Sequence, residues 1–490
     1  MQMSFTSVTR TRRRLAPLRA ALVVALAACG TGTAPRAPVV VPGPSIAPAT
    51  SAFLDTVEQR TFEFFWETTN PANGLVPDRY PTPSFSSVAA VGFGLTAYPI
   101  GVERGWVTRD AAAERVLTTL RFLWTAPQGD APTGMTSYHG FFYHFLDMKT
   151  GERFKNVELS TIDTSLLLGG VLFCQEYFDR DDAREVAIRA YADSIYRRVD
   201  WTWIQLRAPL VSMGWTPEEG FHTYDWRGYD EGMILYILAL GSPTHSISSD
   251  AWSAWTNSYK WGSYYGQEHV GFAPLFGHQY SHLWVDFRGI QDAYMRSRGM
   301  DYFENSRRAV YAQRAYAEDN PNDWAGYSDS LWGLSASDGP GDTTLVVNGR
   351  QRTFLGYAAR GADFTEVRDD GTIAPTAVGG SVPFAPEITI PALMTMRRSH
   401  GGAFFSQYAF LDAFNLTIPD TMKTQAGRTV PNVGWVDSDY LGIDQGALLG
   451  MIENYRSDLV WRYMRRSPYI IDGLERAGFT GGWLVSARVE

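Results

Sequence analysis

Cysteine is nearly absent from these 490 residues: Cys29 and Cys174 are the only two. A disulfide framework and a Cys metal cluster are therefore both excluded. Charge is sparse as well. Charged residues make up 19%, and 43 Lys+Arg against 52 Asp+Glu leave a net charge of −9, which excludes a basic nucleic-acid binder. No segment beyond the N-terminus reaches the ~18 uninterrupted apolar residues of a transmembrane helix. A nucleophile elbow, a Walker loop and a dinucleotide fingerprint are missing too, since Gly92-Phe93-Gly94 lacks the third Gly. His278 and His282 have metal-compatible helical spacing without a further ligand in view. Hydrogen bonding or packing is expected of them, with no metal and no cofactor.

Aromatic residues are plentiful: Phe 27, Tyr 25 and Trp 16, or 14% of the chain. That exceeds what packing usually asks for, and surplus rings commonly line a groove for a flat polar ligand such as a sugar. With 45% hydrophobic residues the chain can bury a large core, which argues against disorder.

The N-terminus reads as an address. Arg10, Arg12, Arg13, Arg14 and Arg19 precede the short apolar run Ala20 to Ala28. Leu26-Ala27-Ala28-Cys29 resembles the lipobox of bacterial lipoproteins, in which the chain is cut before Cys29 and that Cys is lipidated. An ordinary secretory signal is the alternative. Residues 1–28 are thus expected to be a signal peptide and 29–52, rich in Pro, Ala, Thr and Ser, a flexible tether. The protein would be exported and lipid-anchored, facing the periplasm or cell surface. Cleavage deletes five Arg and no acid, leaving an acidic domain that suits a neutral substrate.

Residues 53–490 show a helical pattern that keeps returning. The expected helices are Phe53–Thr68, Ser87–Arg104, Arg109–Thr125, Ser160–Phe178, Asp182–Trp203, Asp230–Leu240, Ser248–Lys260, Gln279–Ser297, Met300–Glu318, Pro391–Ser399, Gly442–Arg456 and Ser467–Ala477. Thr108 and Ser160 carry capping signals. A hairpin is expected at Asn348-Gly349, between Thr343–Val347 and Arg352–Phe354. The Gly-, Pro- and Asp-rich stretch Ala336 to Phe384 around it reads as an elaborated loop over one face. About twelve paired helices in one domain suggest an all-α (α/α)6 toroid, whose inner-helix termini surround a central cleft. A helical solenoid fits less well, because no repeat of constant period appears.

Carboxylates embedded among rings are the chemical signal. Glu218, Glu219, Asp225, Trp226, Tyr229, Asp230 and Glu231 precede an apolar helix. Further clusters hold Trp284 and Asp286; Glu387; Asp412 among Tyr408, Phe410 and Phe414; Asp444; and Glu453. Glycoside hydrolysis needs one protonated and one ionised carboxyl flanking the scissile bond, and apolar surroundings raise a carboxyl pKa to suit the acid role. Asp230 and Glu231 could instead merely complement a helix N-terminus.

Together, Asn73-Gly74-Leu75-Val76-Pro77-Asp78-Arg79, Phe141 through Asp147, Glu158 through Thr164, Gly241 through His245, Phe410-Leu411-Asp412-Ala413-Phe414-Asn415 and Asp444-Gln445-Gly446 through Arg456 resemble the glucoamylase-like domain of glycoside hydrolase family 144. The resemblance covers nearly everything from Phe53 onward. It implies an (α/α)6 barrel, no metal, and hydrolysis of β-1,2-glucan, usually endo-acting with release of sophorose and sophorooligosaccharides, in some members exo-acting. It makes Glu231 the general acid and Asp412 the base, acting on water through a substrate hydroxyl, with Asp163, Asp444 and Glu453 as sugar contacts. Glu219, Trp226, Tyr229, Trp284, Asp286 and Glu387 complete the expected contacts, Glu387 and Asp286 also being rivals for the base. A monomer touching only glucan and, through its lipid, a membrane is expected. A non-catalytic glycan-binding lipoprotein is the reading from another class; it would not need both Glu231 and Asp412. Transglycosylation or uronate elimination also fits such a barrel, though the acidic balance disfavours uronates.

Overall fold

The computed structural model describes residues 46–419 and 422–487, all within the compact unit Pro42–Glu490. The expected signal peptide, Cys29 and most of the tether lie outside the described residues. The described chain is predominantly helical. Its first half carries α1 (Pro48–Thr68), α2 (Val88–Glu103), α3 (Arg109–Thr125), α4 (Thr161–Tyr177), α5 (Ala183–Arg198), α6 (Met233–Gly241) and α7 (Asp250–Thr256). Then follow α8 (Tyr280–Trp284), α9 (Ala293–Arg298), α10 (Tyr302–Asp319), α11 (Pro375–Gly379), α12 (Pro386–Phe404), α13 (Gly442–Ser457), α14 (Leu459–Met464), α15 (Pro468–Arg476) and α16 (Gly482–Ser486).

Two sequence patterns give two populations of helix. In α2, α4, α6 and α13 the apolar and small residues run all the way round, and every residue of α6 is buried. A helix without a polar face must be surrounded by others. Accordingly α2 packs along α4 and α13, and α4 along α6, while the short, wholly buried α8 and α11 join α13. Helices α1, α3, α5 and α10 bury one stripe each: α1 lies over α13 and α2, α3 against α5, and α5 on α4. Helices α2 and α4 approach backbone to backbone. A Cβ on Gly92 would stand 2.3 Å from the Leu166 carbonyl oxygen, and one on Gly170 would stand 2.0 Å from that of Gly92. Gly92 thus serves helix packing, not phosphate binding.

Short antiparallel pairs stitch the segments that enter the buried helices. Ser86–Ser87 pairs with Phe145–Leu146 ahead of α2, Leu159–Ser160 with Gly214–Thr216 ahead of α4, and Arg79–Tyr80 with Tyr440–Leu441 ahead of α13. Thr108 caps α3, and Ser160 caps α4 by accepting from the N–H of Asp163 at 3.2 Å.

Several expected boundaries move. Helix α1 starts at Pro48, so it takes the end of the tether. Helix α5 stops at Arg198, where Val199 turns extended. The expected helix Gln279–Ser297 is two, α8 and α9, because Val285 is extended and Asp292 caps a new start by accepting from the N–H of Met295. Helix α12 begins at Pro386, five positions before Pro391. The hairpin pairs Thr343–Val347 with Arg350–Phe354 across Asn348 and Gly349, both at positive φ. The stretch 336–384 is more than a loop over one face. It ends in the buried α11, and its wholly buried Arg360 holds Asp370 at 2.7 Å while donating to the carbonyls of Ser337 and Asp338.

Candidate active site

The first turns of α4, α6, α8 and α13 converge on a group of acids. Asp163 lies in the first turn of α4, where the Ser160 hydroxyl donates to its Oδ2. His144 reaches the same oxygen with Nε2 at 3.5 Å and Glu158 Oε1 with Nδ1 at 2.8 Å. Glu231 stands just ahead of α6. Its carbonyl accepts from the Ser281 hydroxyl of α8 at 2.9 Å, and that hydroxyl in turn accepts from the N–H of Ile234. Burial, and then the negative field of Asp163, push the Glu231 carboxyl up to about 7 against an opposing backbone hydrogen bond. Its neighbour Asp230 is pushed up by burial and by Glu231, and accepts from the N–H of Gly232 at 2.9 Å.

Asp412 and Asp444 interact side chain to side chain, and both, like Glu231, act on Tyr280. Burial and the charges of Asp444 and Asp338 push Asp412 up, and burial carries Asp444 up to about 7. Two touching carboxyls cannot both ionise at low cost, so the pair keeps one proton and offers one ionised group. Asp412 Oδ2 accepts the N–H of Asp338 at 2.7 Å, and the Asp412 N–H donates to the Asp439 carbonyl. Arg79 joins Asp338 at 2.7 Å and Asp78 at 3.2 Å. Oxygens of Asp338, Asp437 and Asp439 fall within 4.8 Å of one another, the one group among the described residues whose geometry could hold a cation. Burial, Asp412 and Asp338 push Asp437 up to about 9, so a proton there and the Arg79 guanidinium, which Asp338 shares with Asp78, offset part of the cluster's charge.

Tyr280, the first residue of α8, feels the fields of Asp444, Glu231 and Asp412 and so links the two halves. Asp78 acts on both His144 and Asp444. Tyr357, 59% exposed, stands within reach of the charges of Asp444, Asp412, Asp78 and Asp338, as a flat ring beside the acids. The arrangement brings together a carboxyl raised toward neutrality and a pair of carboxyls that raise one another.

Of the residues expected from the sequence, Glu231, Asp412, Asp163 and Asp444 come together here. Glu219 is exposed on the turn after Thr216, in an outer cleft it shares with Glu158 and His222. The remaining expected contacts are corrected. Trp226 is buried, and its indole donates to Thr161 at 2.9 Å, holding the first turn of α4. Tyr229 is buried in a stack on Tyr302, and Trp284 is wholly buried with its indole on Thr96. None of the three rings has a face to offer a sugar. Asp286 is consumed by Arg288 and Arg465. Glu387 is bound by Arg307 and Tyr311 at the start of α12. Glu453 binds Arg104 at 2.7 Å and Ser457; nine residues along α13 from Asp444, it stands about 13 Å away at the other end of the helix. His278 and His282 are wholly buried, hydrogen-bonded to the Phe272 carbonyl and to Ser306, and burial holds both below the usual histidine range.

Sequence reasoning gave no role to His144, Asp78, Arg79, Tyr280, Asp338, Tyr357, Asp437 or Asp439. Two of these had a visible signal: Asp437-Ser438-Asp439 sets two acids directly before the strand that enters α13.

Comparison with known proteins agrees with this geometry. The family model described as "Putative glucoamylase" matches residues 223–468, half of the chain, a span that includes Glu231, Asp412 and Asp444. The exo β-1,2-glucooligosaccharide sophorohydrolase (non-reducing end) of Parabacteroides distasonis is 29% identical over 457 residues, which cover 86% of this chain; the chain spans 57% of that protein's length. Among solved structures, a "putative glucoamylase" from Bacteroides uniformis is 30% identical with a TM-score of 0.77, over 90% of this chain and 100% of the other. An endo-β-1,2-glucanase from Chitinophaga pinensis, in complex with sophorotriose and glucose, is 28% identical with a TM-score of 0.75, over 89% and 100%. The chain therefore belongs to the "Putative glucoamylase" family and is a glycoside hydrolase of the family 144 type.

Proposed function

We propose that the protein hydrolyses β-1,2-glucan with inversion, endo-acting and releasing sophorose and sophorooligosaccharides. The observation that carries this reading is the pairing of Glu231, pushed up to about 7, with the singly protonated Asp412/Asp444 pair across the same group of acids. Glu231, protonated near neutral pH, gives its proton to the leaving glycosidic oxygen. Once the proton shared by the pair has passed to Asp444, Asp412 takes a proton from the attacking water, directly or through a substrate hydroxyl. Asp163 orients sugar hydroxyls beside the donor. The two helix populations are read as the inner and outer rings of an (α/α)6 toroid. The names of the relatives support the linkage, one as an exo-acting sophorohydrolase and one as an endo-β-1,2-glucanase. Export as a monomer, lipid-anchored at Cys29 and facing periplasm or exterior, is part of the same proposal; the N-terminal sequence motivates it.

The test is product analysis over time with a panel of glucans of defined linkage. Sophorooligosaccharides of mixed length appearing early from β-1,2-glucan support endo action, and sophorose alone from the start would replace it with exo action. Cleavage confined to α-linked or β-1,4 glucans overturns the substrate.

A further inference from the structure

His144 stands between carboxylates of different segments. Nδ1 lies 2.8 Å from Glu158 Oε1 and Nε2 lies 3.5 Å from Asp163 Oδ2. A neutral imidazole has one donor nitrogen and satisfies one such contact, whereas the imidazolium satisfies both. The residue is pinned in place. Its ring stacks on Phe145 with centroids 4.0 Å apart, its N–H donates to the Glu158 carbonyl at 2.9 Å, and its carbonyl accepts from the N–H of Val88 at 3.1 Å. The charged groups facing the ring are Glu158, with His222 beyond it, Asp163, and Asp78 with its partner Arg79. Asp163 in turn raises Glu231, which is next in the chain to Asp230 and whose charge acts on Tyr280.

We propose that His144 is a positioning residue for the proton donor: clamped by Glu158, its imidazolium gives Asp163 a counter-charge, so that the proton available to the neighbouring Asp163 and Glu231 carboxyls resides on Glu231. This role rests on the reading of Glu231 as the donor. Two adjacent carboxyls competing for one proton leave it on the member without a cation. Asp163 has the imidazolium and the Ser160 hydroxyl, whereas no ion pair reaches Glu231 among the described residues. Burial alone would lower His144, but the charge of Asp163, the hydrogen bond to Glu158 and the charge of Asp78 overcome it and carry the ring up to about 9. The imidazolium therefore persists wherever Glu231 is active.

The line of interactions from Glu231, through the field of Asp163 and the contacts of His144, ends at Glu158, which borders the outer cleft with Glu219 and His222. The control of the donor thus extends from the acids to the protein surface.

The experiment has two arms. In the wild-type chain, NMR titration of the imidazole signals, assigned with His144→Gln, should place His144 near pH 9; a value at or below the ordinary ~6.5 overturns the role. In kinetics on β-1,2-glucan, His144→Gln should lower kcat about tenfold or more with KM changed less than about threefold, because the proton now divides between two carboxyls. In an Asp163→Asn background the competing carboxyl is gone, so adding His144→Gln should cost nothing further. Equal, additive losses in the two backgrounds would mark His144 as a merely structural residue and sink the proposal. If His144→Gln does not fold, Glu158→Gln takes its place in the kinetic arm and also assigns the signal, because losing that carboxylate moves the His144 titration downward. Failure of β-1,2-glucan hydrolysis refutes the proposed function and leaves the titration to decide the state of His144.

Discussion

The backbone N–H of Asp338 points at Oδ2 of Asp412 from 2.7 Å, across 74 positions of sequence. Donation to one oxygen favours negative charge on that carboxyl, opposing the burial and the neighbouring acids that raise it. The proposed base is thus tuned by a main-chain group that no side-chain substitution can remove.

Glu231→Gln and Asp412→Asn should each lower kcat on β-1,2-glucan by about 10²–10⁴, with little change in KM. Steady-state kinetics with the fold verified by circular dichroism checks this. Near wild-type turnover in Glu231→Gln would remove it as the acid and bring Glu219 forward.

Activity should decline on the alkaline side as Glu231 ionises near pH 7. Asp163→Asn removes a negative charge that raises Glu231, so the alkaline limb should move to lower pH. A limb that stays in place in this variant would show that Asp163 does not set the donor.

Glu231 and Asp444, each carried to about 7, and Asp437, carried to about 9, are all raised carboxyls. Each keeps in the fold a proton that the unfolded chain has already lost, so the native state binds more protons above about pH 4. Stability from these groups is complete below their unfolded values and is lost as the pH climbs through 7 to 9. Melting temperature should therefore fall between pH 6 and 9.5, and Asp437→Asn should flatten the decline; a flat wild-type profile contradicts the assignment.

Tyr357→Ala should raise KM several-fold and leave kcat nearly intact, since a ring worth about 1 kcal/mol in stacking is lost while the acids stay in place. Unchanged KM would place the ring outside the sugar path.

Gly170→Ala should destabilise the fold by about 2–3 kcal/mol, because its Cβ meets the Gly92 carbonyl and neither helix can retreat. Chemical denaturation gives the value, and activity per folded molecule should be retained.

The helical architecture was legible because period and caps agree with packing: α2, α3 and α4 fall within a residue or two of their expected ends. The short α11 and α14 were not, since helices of five and six residues carry too little period to read. At the site, Glu231, Asp163, Asp412 and Asp444 stood out as acids beside rings or caps. Trp284, Asp286 and Glu453 looked the same in sequence, yet burial and arginine partners absorb them. Arg288 beside Asp286 was a local hint, but Arg465 and Arg104 lie 179 and 349 positions from the acids they bind, beyond any local pattern. Asp338 and Tyr357 went unnoticed because the stretch around them has no period of its own, and only the fold brings it to the acids.

The contact between Gly92 and Gly170 sets a limit on how this enzyme can adapt. Where two backbones touch, there is no rotamer to change and no void to collapse, so the floor beneath the acids behaves as a fixed chassis. Any change of cleft width has to come from the rim: the turn that carries Glu219 and the segment that carries Tyr357. Exchanging those segments between relatives should alter which chain lengths are accepted while the chassis keeps its stability.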